Sequence, residues 1–456
     1  MNQCDCNSII EKLRKMPFRW GKTKKPFVLA IATMDTKAYE IECIAKQIRD
    51  NGKVDVRIVD VTTLAIALSK SLPQPDVSRK KLLTFVENGA DEDGKNNIED
   101  RPKKQKLLAD ALINYCSHLI ESDDELFSGM IGIGGSCGTA IISPAMRSVP
   151  IGFPKIMVST MASGDVGPYV GFTDVTMMHS VADIAGVNAV TRVVLENAAS
   201  AVEGMADGWA KRNAAATKKA KLANRTKKKP TLGMTQFGVT TVCCEAVRKE
   251  LENDYEIVTF HATGAGGRAM EKLMEDGLLS GVLDLTTTEI ADEIGGGVLS
   301  AGPERLDAFA SAKVPMVMSL GALDMVNFGG EKTVPSKHSD RKLHVHNSEV
   351  TLMRTSEEEC RKIASFIAKK FNKSVAPAVL LIPSKGVSLI DVPGMPFYDP
   401  TVDTVLFDEL NRLIEERDGD GGKGALRKVV TIDCAINDPE FAVEVAKWYR
   451  KLAKLV

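Results

Sequence analysis

The residues best suited to chemistry are Gly134, Gly135, Ser136, Gly138 and Thr139, within the run Gly-Ile-Gly-Gly-Ser-Cys-Gly-Thr from 132 to 139. An apolar, strand-like segment enters this cluster and a helix-like segment leaves it. Without Cβ atoms the glycines let backbone N–H groups close on an anion, the next helix presents the positive end of its dipole, and Ser136 and Thr139 add hydroxyls. The spacing matches neither G-x-G-x-x-G nor G-x-x-x-x-G-K-[ST]. From these residues alone a phosphate cradle and a plain turn both stay open.

Two more segments have the same character. In Thr33-Met34-Asp35-Thr36-Lys37, Asp35 either caps the following helix or joins a site where Thr36 and Lys37 meet a phosphate through hydroxyl, amide and ammonium. In Ser159–Gly167, the small residues Thr160, Ala162, Ser163 and Gly164 could wrap a nucleotide, with Asp165 as a ligand for Mg²⁺, or form a solvated turn. Cys137 inside the glycine run reads as a small loop filler rather than a reactive thiol.

The C-terminal half offers acids at strand ends. Glu289 follows Thr286-Thr287-Thr288 and precedes Asp292 and Glu293, while Asp324 follows Leu320-Gly321-Ala322-Leu323. Such carboxylates serve as general acid and base, hold a cation, or cap helices. His338, His344 and His346 are three of the six histidines. With no cysteine in the same short segment, zinc is under-specified, and His346 with Asn347 is read as a pair of polar site groups. Arg354 could clamp a carboxylate or phosphate, or pair with an acid. The candidate catalytic set is therefore Glu289, Asp324, His346 and Arg354.

The elements that must carry these residues alternate. Apolar runs at 27–33 and 54–61 flank a helical stretch at 37–50, a polar insertion spans about 69–102, and strands return before the glycine cluster and at 155–160. After Pro230 the rhythm restarts, with strands at 231–235, 256–262, 281–285, 315–320, 378–382 and 428–433 and a last helix at 439–452. Parallel strands joined by right-handed helical crossovers predict an α/β fold of two open, doubly wound, mostly parallel sheets. Sites are expected at the carboxyl ends of the strands and in a cleft between the halves. The proline-rich segment 391–400 is expected to be a shaped loop over the cleft or, alternatively, a domain-swapped or dimer-contacting arm.

Bulk properties narrow the class. The 456 residues, 44% hydrophobic and 26% charged, suit a globular protein of two to three domains. Net charge is −1, yet residues 211–229 hold nine Lys or Arg and no acid, leaving about −10 for the rest. That stretch is expected to be a helix end and linker, and it lacks the interleaved aromatics of a single-strand binder. The nine cysteines have no paired C-x-x-C spacing, and Cys4 and Cys6 read as tail residues. No apolar run reaches membrane-spanning length and no secretory leader is evident, so a soluble cytoplasmic protein without membrane or nucleic-acid partners is expected. The predicted layout is an N-terminal extension at 1–23, a first subdomain at 24–210, the basic linker at 211–229 and a second subdomain at 230–456.

Strung together, Asp35-Thr36-Lys37, Gly132–Thr139, Pro154–Gly164, Asp183–Asn188, Gly295–Pro303, Gly321–Gly330, His346-Asn347, Met353-Arg354-Thr355 and Asp391–Pro400 resemble an uncharacterised protein family. That family includes the ATP-binding domain of the tomato mosaic virus resistance protein. The resemblance covers most of the chain. It implies two Rossmann-like subdomains, ATP with Mg²⁺ held by the first, and a homodimer. It places Asp35, Thr36 and Lys37 near phosphates, Gly134, Gly135, Ser136, Gly138 and Thr139 in the cradle, Thr160, Ala162, Ser163 and Gly164 along the nucleotide, and Asn188 at its edge. The second subdomain is expected to take a small anionic metabolite, or to form an enzyme active site with ATP as co-substrate or regulator. Cys137, the basic linker and the 69–102 insertion depart from the family pattern.

Overall fold

The computed structural model describes residues 25–64, 69–86, 100–122, 125–222, 229–419 and 425–456, arranged as two compact units that divide at Lys227/Lys228. The expected extension at 1–23, with Cys4 and Cys6, lies outside the described residues.

In the first unit, β1 (Pro26–Ala32), β2 (Asp55–Asp60), β3 (Leu126–Gly134), β4 (Lys155–Ser159) and β5 (Thr176–His179) form one parallel sheet in the order β2-β1-β3-β4-β5. Helices α1 (Met34–Asn51), α2 (Arg101–Glu121), α3 (Ser136–Ser148) and α4 (Ala189–Leu222) make the connections. Val28, Ala30 and Ala32 of β1 pack with α1 and α4, whereas Phe27, Leu29 and Ile31 pack with α2 and α3. Both sheet faces are therefore covered, which is why β1 and β3 read as unbroken apolar runs instead of alternating ones.

The 69–102 insertion is only partly an excursion. Val77 pairs with Val59 beside β2, and Leu82 and Leu83 of a short helix, Arg79–Leu83, are buried in the α2–α3 core. Residues 87–99 lie outside the described ones. The basic stretch begins inside α4, which continues to Leu222, because its alanines and lysines are good helix formers.

The second unit repeats the plan. Strands β6 (Thr231–Gln236), β7 (Glu256–His261), β8 (Gly281–Thr286), β9 (Met316–Gly321), β13 (Ala378–Pro383) and β14 (Arg427–Ile432) form a parallel sheet ordered β14-β13-β9-β8-β6-β7. It is wound with α5 (Thr241–Leu251), α6 (Gly266–Glu275), α7 (Thr288–Gly295), α8 (Glu357–Phe371), α9 (Pro400–Leu413) and α10 (Pro439–Leu452). A three-stranded antiparallel sheet of β10 (Met325–Phe328), β12 (Val350–Arg354) and β11 (Leu343–Asn347) is added between β9 and α8. In each parallel sheet the winding reverses beside its first strand, between β1 and β3 and between β6 and β8. Such reversals open a crevice at the strand carboxyl ends.

Candidate functional site

At the first reversal two of the expected segments lie side by side. Ile31 of β1 is opposite Gly132 of β3, so two residues further on Thr33 adjoins Gly134. The Thr33 carbonyl accepts the N–H groups of Thr36 (3.2 Å) and Lys37 (2.9 Å), and the Thr33 and Thr36 hydroxyls are 3.0 Å apart. Asp35 donates its N–H to Thr62 Oγ1 at 3.2 Å, and that hydroxyl donates to Asp60 at 2.5 Å, fastening this corner to β2. Lys37 leaves helical geometry (φ −132°, ψ 26°), and its Nζ donates to the Ile184 carbonyl at 2.6 Å.

The glycine run is shaped by close approach. A Cβ on Gly134 would sit 2.8 Å from Gly138 Cα, and one on Gly132 would sit 2.7 Å from Ile142 Cγ2, so strand and helix touch through hydrogen atoms alone. Gly135 enters α3 extended (φ −84°, ψ −154°) with no side-chain cap. The N–H groups of the first turn, at Ser136, Cys137 and Gly138, consequently lack partners within the helix. Ser136 is exposed, Gly135 and Cys137 are half-buried and Gly138 is buried, so the outer part of this turn is accessible. Cys137 Sγ accepts from Gln105 at 3.1 Å, turned toward α2 as a filler.

The third segment joins them. Buried Thr139 and Ser159 share a hydrogen bond of 2.6 Å, tying α3 to the end of β4. Beyond it Thr160–Ser163 forms a 3₁₀ turn, closed by Ser159 Oγ on Met161 N–H (3.0 Å) and by Ser163 Oγ on the Thr160 carbonyl (3.1 Å). A Cβ on Gly135 would lie 3.6 Å from Thr160 Oγ1, so the turn and the cradle share a wall. Gly164 is exposed with open space beside it. Asn188 is the cap of α4, its Oδ1 accepting the N–H groups of Val190 and Thr191 (both 3.0 Å).

The C-terminal candidates separate into different environments. Glu289 is fully buried and accepts from Arg305 Nε (2.9 Å) and from the N–H groups of Gly264 (2.9 Å) and Gly267 (3.2 Å). Arg305 also donates to Glu271 and Asp284, both at 2.7 Å, completing a buried quartet of one cation and three carboxylates. A Cβ on Gly267 would overlap both Arg305 Nε and Glu289 Oε2. Asp324 and Arg354 do come together, in a second buried quartet with Asp391 and Asp403. Arg354 Nη2 is 2.5 Å from Asp403 and 3.5 Å from Asp391, and Nη1 is 3.4 Å from the Asp324 carbonyl. Ser388 Oγ donates to Asp324 at 2.8 Å.

Burial dominates this second quartet. It raises Asp324 to about 6 against the pull of Arg354, and raises Asp391 to about 9, where the charges of Asp324 and Asp403 add to it. Burial opposes the charge on Arg354, but the three acids outweigh it and raise the guanidinium. His346 is exposed on β11 and does not reach the quartet, whereas His344 meets the ring of Phe397 at 6.1 Å, whose carbonyl accepts from Arg354 Nε at 2.8 Å. Arg305, Glu271, Asp284, Asp391 and Asp403 escaped the sequence reading. A positional signal existed only for Asp391, in the proline-rich loop, and for Asp403, in the first turn after Pro400.

At the second unit's own reversal the hydroxyls are engaged with one another. Thr240 pairs with Thr286 at 2.8 Å and Thr287 donates to the Ser319 carbonyl at 3.1 Å, all buried. At the second reversal these hydroxyls are spent on protein partners, whereas at the first Ser136 is exposed. Among the described residues no group of three or more His, Cys, Asp or Glu is arranged to hold a metal, and no helix is long and apolar enough to cross a membrane.

The chain is thus a two-unit, doubly wound α/β protein with a glycine-rich strand-to-helix turn at the reversal of its first sheet. It belongs to the uncharacterised protein family UPF0261: the family's N-terminal domain matches residues 26–211 and its C-terminal domain residues 229–453. A UPF0261 protein of Rhizobium meliloti (strain 1021) is 42% identical over 93% of this chain and 99% of its own length. A UPF0261 protein of Clostridium tetani (strain Massachusetts / E88) is 40% identical over 92% and 97%. The ToMV resistance protein Tm-1(GCR237) of Solanum lycopersicum is 40% identical over 92% of this chain but only 55% of its own length.

Proposed function

We propose that the first unit binds an adenine nucleotide, ATP with Mg²⁺, at the reversal between β1 and β3. The observation that carries this reading is the uncapped amino end of α3, lined by Gly134, Gly135 and Gly138, beside the hydroxyls of Thr36, Ser136 and Thr160. Main-chain N–H groups and a helix dipole stabilise phosphate oxygens without a cluster of cations. The donor set fits a phosphate chain, and a Mg²⁺ would be held mainly by that chain, with Asp35 or Asp165 reaching it directly or through water. The small turn Thr160–Gly164 leaves room for the nucleoside. Lys37, whose ammonium gives one of its three donors to the Ile184 carbonyl, would supply the cation.

The second unit in this reading takes a small anionic ligand. An enzyme acting on a phosphorylated or carboxylated metabolite is less favoured, since Glu289 is engaged by Arg305 in one buried quartet and Asp324 and Arg354 lie in another. A cytoplasmic homodimer completes the proposal. Mass spectrometry of ligand released from freshly purified protein tests it: an adenine nucleotide at near-stoichiometric amount supports the reading. A phosphate-free metabolite, in a protein that ignores added Mg-ATP, overturns it. Steady phosphate release lost in Asp324→Asn would restore the enzyme reading.

A further inference from the structure

Arg79, brought to the first unit's sheet by the 69–102 insertion, has a guanidinium that no hydrogen bond engages. It opens the short helix Arg79–Leu83, which the Ser78 hydroxyl caps on Lys81 N–H. Just before it, Val77 pairs in parallel with Val59, and the Val77 carbonyl accepts the Asp60 N–H at 3.0 Å. The chain therefore runs along the outer side of β2 in the same direction as that strand. Two residues beyond the pair, Arg79 reaches the level of Val61, just past the carboxyl end of β2.

The side chain is half-buried. Its Nε is buried without a hydrogen-bond partner, and among the described residues no acceptor meets either Nη. Burial lowers the guanidinium below the ordinary arginine value, and the neighbouring Asp60 carboxylate opposes that shift through its charge. Asp60 itself, 5% exposed, is committed to its own corner, where Oδ1 accepts from the N–H groups of Met34 (3.3 Å) and Thr62 (2.9 Å) and from the Thr62 hydroxyl. Buried arginines of the second unit use their donors: Arg305 meets three carboxylates, and Arg354 meets Asp403 and the Phe397 carbonyl. A planar fork of unspent donors, partly withdrawn from water at the carboxyl edge of a parallel sheet, suits a carboxylate or phosphate held in bidentate fashion.

The sheet order β2-β1-β3-β4-β5 decides which anion. In the nucleotide reading the nucleoside lies past β4, at Thr160–Gly164, and the inner phosphates lie past β3, at the glycine turn. A phosphate chain that continues in the same direction crosses the end of β1 toward β2. Neighbouring strands are about 4.8 Å apart, so Arg79 is too far out for the first phosphate and stands on the side where the last one ends. We propose that Arg79 binds the terminal phosphate of the nucleotide and thereby selects a triphosphate over shorter nucleotides. The proposal rests on the nucleotide reading and adds a residue that sets its specificity.

The test is calorimetric titration of ATP, ADP and AMP, each with Mg²⁺, into the full chain, Arg79→Gln and Arg79→Lys. Wild type should prefer ATP to AMP. Arg79→Gln should lose about tenfold or more in ATP affinity while AMP affinity stays as in wild type, because only the last phosphate loses a charge-assisted contact. Arg79→Lys keeps the charge without the fork and should fall between the two. Unchanged ATP affinity in Arg79→Gln, or an equal loss for ATP, ADP and AMP, overturns the role of Arg79 and leaves the nucleotide reading intact. Absence of any nucleotide binding in wild type overturns both. Should Arg79→Gln fail to fold, the ATP-to-AMP ratio of Arg79→Lys decides: a smaller ratio than wild type supports the contact, and an equal ratio overturns it.

Discussion

Asp391→Asn isolates the proton held by the Arg354 quartet. Folded Asp391 keeps its proton up to about pH 9 because it is buried and faces the charges of Asp324 and Asp403. Its Oδ1 accepts no hydrogen bond, so a proton there turns an orphaned acceptor into a donor toward Asp403, whose own raised value is partly offset by that bond. In the unfolded chain the same carboxyl ionises near pH ~4. Between those limits the folded state holds one more proton than the unfolded state, so stability falls as pH rises, by about 1.4 kcal/mol per pH unit. Asparagine keeps the shape and the donor but has no proton to lose. Relative to wild type it should gain stability progressively above pH ~4, by about 4 kcal/mol between pH 6 and pH 9. Asp324, raised to about 6, contributes its slope mainly below that window. Urea unfolding of both proteins at pH 6, 7.5 and 9 measures the difference. Parallel stability curves across the range would refute the assignment of the proton to Asp391.

Other outcomes follow from the same geometry. Gly267→Ala drives a methyl into Arg305 and Glu289, and removing a buried ion network's fit should cost about 3–5 kcal/mol, seen as a large drop in the second unit's melting temperature. Asn188→Ala removes the cap of α4 and should cost about 1 kcal/mol in urea unfolding. His346→Ala, at an exposed position on β11, should leave both melting temperature and Mg-ATP affinity within error.

Much of the fold could be read from the chain because local signals agreed. Continuous apolar runs marked strands buried on both faces, glycine clusters marked their carboxyl ends, and the last helix falls at Pro439–Leu452 as its spacing requires. The antiparallel sheet around β10 escaped notice because its four- and five-residue strands are short and β11 is partly polar. The three N-terminal segments were legible as a group, since each is a run of small residues following an apolar strand. The quartets were not, because Glu271, Asp284, Glu289 and Arg305 are brought together only by the winding of β8 and α6, and nothing local distinguishes a buried acid from a helix cap. Asn188, expected at the nucleotide's edge from its family-like segment, is the cap of α4, a role that the Asn preceding a helix also signals.

The claim that matters most is that phosphate oxygens bind the amino end of α3. Gly135→Val probes it with little disturbance, because Gly135 has an extended backbone that valine adopts and its Cβ would lie 3.6 Å from Thr160 Oγ1, an ordinary contact. The side chain then projects toward the Thr160 wall of the crevice. Calorimetry with Mg-ATP should give measurable binding to wild type and at least a tenfold loss in Gly135→Val at unchanged melting temperature. Equal affinity in the two proteins would contradict a cradle at this site.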